Sequence, residues 1–158
     1  EYAVDVSYHN DYLYVADGDG GTLVYRVEAD KLTSVATLDT ANTRCVATDG
    51  NVLGVAGSAG LILFDIQNPE SPVKVGSYDT GYAERVALAE DYAYMAEGVR
   101  GLSILNIADP ESIYTVSRFD NPFALDVAVV GEHAYLVDAK GLRIIEIVVP
   151  EWVVEGGR

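Results

Sequence analysis

The chain repeats itself about every forty residues. Val6, Val46, Val86 and Val127 recur at steps of 40, 40 and 41, and Tyr14, Gly54, Tyr94 and Tyr135 keep the same steps. Gly21, Gly60, Gly101 and Gly141 form a second register, each opening a run of β-formers: TLVYRV, LILFDI, LSILNI and LRIIEI. A third register is acidic, with Asp39, Asp79 and Asp120 at steps of 40 and 41. A period between 20 and 50 residues restricts a chain to architectures in which one supersecondary unit stacks on copies of itself. The 158 residues then divide into four units, 2–42, 43–82, 83–123 and 124–158, of one domain over 1–158.

Each unit holds four short apolar or alternating stretches separated by turn residues. In the third unit these are ERVALA, YAYMAE, LSILNI and IYTVSRF, divided by Glu90-Asp91, Gly98 to Gly101 and Ala108-Asp109-Pro110. Links this short allow only antiparallel pairing between sequence neighbours. LILFDI and LRIIEI are apolar at nearly every position, so their sheet must be covered on both faces. Radial stacking of four-stranded sheets covers both faces and explains the period, whereas a sandwich needs no forty-residue repeat and a solenoid usually repeats at shorter intervals. The expected fold is therefore all-β, a β-propeller of four-stranded antiparallel blades, four in this chain. The chain starts just before the first strand of unit one and stops inside the last strand of unit four, which leaves no strand for a clasp between the termini. Four whole blades are expected, either closed by packing of unit one on unit four or open as an arc of a larger ring. The one short helical turn expected lies around Pro69 to Pro72.

The second unit reads Gly60-Leu61-Ile62-Leu63-Phe64-Asp65-Ile66, then Asn68-Pro69-Glu70-Ser71-Pro72, then Gly76-Ser77-Tyr78-Asp79-Thr80. In this succession it resembles the LVIVD repeat family. The fourth unit carries Gly141-Leu142-Arg143-Ile144-Ile145-Glu146-Ile147, and the third carries Gly101 to Ile107 followed by Asp109-Pro110. The first departs most, with Arg26 at the acidic place and Glu28-Ala29-Asp30 instead of the proline turn. The resemblance implies a propeller, often part of secreted or surface-attached bacterial and archaeal proteins, and it implies no single activity. An extracellular or cell-surface location is expected on that ground alone.

Charge narrows the partners. With 25 acidic against 10 basic residues the formal charge is -15, which opposes phosphate backbones and anionic membranes. Nucleic acid and membrane insertion are not expected, and no stretch approaches the roughly 18 apolar residues of a spanning helix. The amino end, EYAVDVSYHN, has no basic start and no apolar middle, so it is not a targeting segment. Cys45, the single cysteine, sits beside Val46 in an apolar run and reads as a core residue.

No constellation for catalysis is present: serines occur without a nucleophile elbow, and phosphate-binding glycine loops are missing. His9 and His133 fall in links between first and second strands and read as turn residues. ADGDGG, which includes Asp17 to Gly21, has the look of a calcium loop without its later ligands and is expected to be a hairpin. Tyr12, Tyr14, Tyr92, Tyr94 and Tyr135 are expected to pack within or between blades. Trp152, just after Pro150 in the link before the last strand, is expected to be a packed cap, with a partner contact as the alternative. In a propeller the links from a fourth strand to the next unit and the hairpins between second and third strands emerge on one face. Asp39, Asp79 and Asp120 belong to the links and Asp17, Glu97 and Asp138 to the hairpins, with Ala56 in unit two. Such a ring of carboxylates, partly neutralised by Arg44 and Arg85, would attract a basic partner or a calcium ion, although Asp also simply suits turns. No other cofactor is implied. The expected function is a noncatalytic interaction or scaffolding module, not an enzyme, with an unidentified protein or small ligand as partner. The alternatives are a ligand-binding or enzymatic propeller using its central channel, and an excised or engineered repeat array.

Overall fold

Left-handed turn residues set the first hairpin of every unit. Asn10 and Asp11 both have positive φ, 48° and 64°, which joins two strands through two residues in the hand that matches strand twist. Gly50, Glu90 and Gly131 supply positive φ at the corresponding turns. The computed structural model describes residues 2–120 and 123–147. Unit one consists of β1 (Asp5–His9), β2 (Tyr12–Ala16), β3 (Thr22–Glu28) and β4 (Lys31–Leu38), and unit two of β5 (Thr43–Asp49), β6 (Val52–Gly57), β7 (Gly60–Asp65) and β8 (Val73–Tyr78). Unit three follows as β9 (Arg85–Ala89), β10 (Tyr92–Ala96), β11 (Leu102–Asn106) and β12 (Tyr114–Phe119), then unit four as β13 (Ala124–Val130), β14 (His133–Asp138) and β15 (Gly141–Glu146). Each unit forms its own antiparallel sheet in chain order, three of four strands and, among the described residues, one of three.

The pairing of third with fourth strands slips at the same repeat place in each complete blade, between Val24 and Tyr25, Leu63 and Phe64, and Ile104 and Leu105. A bulge recurring at one place bends each outer strand alike. The segment from Asn68 to Pro72 contains no helix. Asn68 Oδ1 accepts the Glu70 amide and the Asn68 carbonyl accepts that of Ser71, and Asp109 repeats both bonds toward Glu111 and Ser112. A side-chain acceptor at Asn68 thus closes a turn where a helical turn was expected, and Asp109 closes its equivalent in unit three.

The sheets stack face to face in sequence order, and the core lies between them as three clusters. Tyr14 and Val24 of unit one pack with Val46, Leu53, Val55 and Phe64 of unit two. Cys45, Leu61 and Leu63 meet Val86, Ala93, Met95 and Leu105. Tyr94 and Leu102 meet Val127, Ala134 and Leu136. At the repeat place of Tyr14 and Tyr94, unit two has Gly54, and Leu88 of unit three fills the space, 3.2 Å from where a Cβ would stand. The first strands lie side by side in the order β1, β5, β9, β13, the radial order of a propeller.

That order does not return on itself: among the described residues β13 does not lie beside β1 as the successive first strands lie beside one another. The valine register shows the consequence. Val46, Val86 and Val127 each face the preceding blade and are 4%, 5% and 6% exposed, whereas Val6 is 57% exposed. Of the two arrangements expected, the structure has the open arc. Tyr135, expected in a blade interface, is only half-buried because no described blade covers its side of unit four.

Candidate functional site

The links after the fourth strands and the hairpins between second and third strands are bonded to one another at one end of the blades. Gly18, Gly57 and Gly98 accept the amides of Thr43, Ala83 and Ala124 respectively, each at 3.0 Å. In unit one three buried threonine hydroxyls complete this seam, with Thr40 2.8 Å from Thr22 and 2.7 Å from Thr43. His9 and His133 lie at the opposite end, at the turns joining β1 to β2 and β13 to β14, where His133 tilts against Tyr135.

The acidic residues share this end but do not form a uniform ring. Asp39, Asp79 and Asp120 are exposed, and Asp79 accepts the Gly81 amide at 2.7 Å as a turn former. Glu97 and Asp138 are buried. Asp138 accepts from the Lys140 amide and from Arg143, both in its own unit. The Glu97 carboxylate lies 3.5 Å from Arg118, whose Nε donates to Ser103. Asp17 is half-buried, with a carboxylate oxygen 2.4 Å from where a Cβ on Gly20 would stand, so it folds over its own hairpin. The place of Asp17 and Glu97 in unit two belongs to Gly57, not Ala56, because the register pairs Ala56 with Leu61. A side chain there would start 2.3 Å from the Asn42 carbonyl. No three His, Cys, Asp or Glu among the described residues gather as metal ligands. Arg44, expected to neutralise part of that ring, pairs at 2.9 Å with Glu84, which lies outside the six, and Arg85 donates to the Arg44 and Glu84 carbonyls.

Burial lifts the Glu97 carboxyl above its ordinary value, opposed by Ser103, Arg118 and Arg100. A carboxyl whose proton is held more tightly in the folded chain lowers stability as pH rises from the unfolded value, near 4.5, through the raised one. Glu97→Gln is therefore expected to stabilise the protein at pH 7, by about 1 kcal/mol, and to change little at pH 4 where both states are protonated. Urea midpoints at the two pH values check this, and a destabilised variant at pH 7 would make the Arg118 pair the dominant effect.

Two clefts open between hairpins and links, and they are repeat equivalents. One, about 140 Å³, lies among Tyr2, Val4, Asp17 to Asp19 and Asn42 to Arg44. The other, about 300 Å³, lies among Tyr82, Glu84, Glu97 to Arg100, Phe123 and Leu125. Tyr82 stands two periods from Tyr2, and Phe123 two from Asn42. The larger cleft is the more apolar. Val99 and Phe123 are 73% and 55% exposed there, and Phe123 has a φ of 76°, a conformation unusual for a bulky residue. Between the clefts Arg44 bridges Glu84 and the Tyr82 ring, 5.8 Å from its centroid. Val99, Phe123 and Leu125 were not among the expected site residues. The signal was their departure from Asp19, Asn42 and Arg44, the polar residues at the same places in the smaller cleft.

Trp152 lies outside the described residues. Cys45 is buried, accepts the Val86 amide at 3.4 Å and has its thiol pushed up by burial and then by Asp5, which makes it the core residue expected.

A model of the LVIVD repeat matches residues 2–24, 41–80, 81–121 and 123–150. No curated protein sequence matches the chain. Among solved structures, the computationally designed Ika4 protein superposes with a TM-score of 0.73 at 8% identity, over 93% of this chain and 92% of that one. The computationally designed Ika8 protein gives 0.71 at 9% identity, over 92% of this chain. The β-propeller domain of Myceliophteria thermophila Cps50 (Swd1) gives 0.71 at 16% identity, over 91%. The chain spans about half the length of the latter two, 46% and 51%. These likenesses establish the β-propeller fold.

Proposed function

We propose that this chain, which belongs to the LVIVD repeat family, is a noncatalytic interaction module that binds an apolar and basic segment of a protein partner, outside the cell or at its surface. The observation that carries the reading is the larger cleft, where exposed Val99, Phe123 and Leu125 stand beside Glu84 on a strongly acidic chain. Aromatic and aliphatic side chains held out on short links offer an anchor pocket; Arg44 pairs with Glu84 and Arg100 lines the cleft, so it is the net charge of -15 over the chain as a whole that favours a basic sequence around the anchor. The extracellular part of the reading rests on the family resemblance, and fractionation of cells carrying the full gene tests it.

Selection from a random peptide library on the immobilised protein tests the binding reading. Enriched peptides should combine aromatic or aliphatic residues with Lys or Arg, and binding should weaken as salt rises. Phe123→Ser should raise Kd about tenfold or more, the size of one interface anchor, and His133→Ala should leave it unchanged. Failure to enrich any peptide, or affinity indifferent to Phe123, would remove the cleft as the binding site.

A further inference from the structure

We propose that a second copy of this chain covers both open blade faces, so that two four-blade arcs close head to tail into one eight-blade ring. Each open face is the repeat equivalent of a face buried inside the arc. On unit four Leu142 is 63% exposed, while Leu61 and Leu102 at the same place are wholly buried against the following blade. Ile144 beside it is equally exposed, whereas Val24 and Leu63 at its place are buried. On unit one Val6 and half-buried Leu13 and Val15 face the other way, toward where a preceding blade would stand. Their equivalents in unit two, Val46, Leu53 and Val55, are buried against unit one. The chain thus carries both halves of its own blade-to-blade contact, one at each end.

The polar part of that contact is also available. Asp5 accepts the Val46 amide at 3.0 Å between units one and two, and Cys45 accepts the Val86 amide between units two and three. Unit four presents Asp126, exposed, at the place of Asp5; its Oδ1 accepts the Val127 amide of its own unit at 2.8 Å, so the contact with a second copy falls to Oδ2. The amide it would accept in the next blade is that of Val6 in the second copy. A head-to-tail contact between unlike faces generates a closed ring when its rotation closes. Two copies reach eight blades, within the usual range of 4 to 8. Contiguous exposed apolar faces mark interaction surfaces. The shared negative charge opposes approach at long range, and salt screens it.

Sedimentation over a concentration series at moderate salt tests the proposal without any partner or cleft ligand. The expected mass is twice the 17.0 kDa of the chain. Val6→Glu and Ile144→Glu, each exposed in the single chain, should each return the mass to one copy with the β-sheet circular dichroism unchanged, because either substitution removes one half of both contacts. A single-copy mass for the unaltered chain throughout the series overturns the proposal. So does a species of three or more copies, or a two-copy species that survives either substitution.

Discussion

Tyr94→Ala is expected to cost about 3 to 5 kcal/mol of unfolding free energy, the range for truncating a large buried aromatic. The side chain is 3% exposed and joins Ala124, Val127 and Leu136 of the next blade, so the loss falls on the contact between units three and four. Packing of this kind cannot be restored within one sheet. Its repeat equivalent Tyr135 lies on the open side of unit four, where Tyr135→Ala should cost well under half as much in dilute solution. Chemical denaturation of both variants provides the check. A loss below about 1 kcal/mol for Tyr94→Ala would mean that β10 faces the other way by one residue.

Gly60→Ala is expected to cost about 2 to 4 kcal/mol, combining left-handed strain with overpacking. Its φ is 78°, and a Cβ would stand 2.5 Å from both the Tyr78 carbonyl oxygen and the Thr80 amide nitrogen. Those are backbone atoms at the seam between hairpin and link and have little freedom to yield. Gly50→Ala is the control, since Gly50 is also left-handed, at 52°, but has nothing within 4 Å of an added Cβ. It should cost about 1 kcal/mol, the backbone term alone. Equal losses at the two positions would mean that the close approach at Gly60 relaxes freely.

The period was legible in the sequence because the residues facing a preceding blade must be apolar in every unit, as Val46, Val86 and Val127 are. The strand pattern followed from turn chemistry such as Glu90-Asp91 and Ala108-Asp109-Pro110. What escaped the sequence depends on contacts between units or between distant strands. Gly54 sits where two other units have tyrosine, and only the stacked structure shows Leu88 filling that place. Glu97 looked like a turn acid because Arg118, its partner, arrives from β12 after two intervening strand reversals. Ala56 was set one place early because the Gly57–Gly60 hairpin is one residue shorter than those of units one and three. Phe123 ends a link, and nothing local marks a link residue as exposed or seated.

Amide signals of the labelled protein, followed as a selected apolar-basic peptide is added, locate the bound segment on the blades. Binding at the larger cleft should shift Gly98, Val99 and Phe123, which line it, and leave Gly50 and Gly131 at the opposite turns in place. Shifts centred on Gly50 and Gly131, or on the first strands, would contradict the assignment of this face.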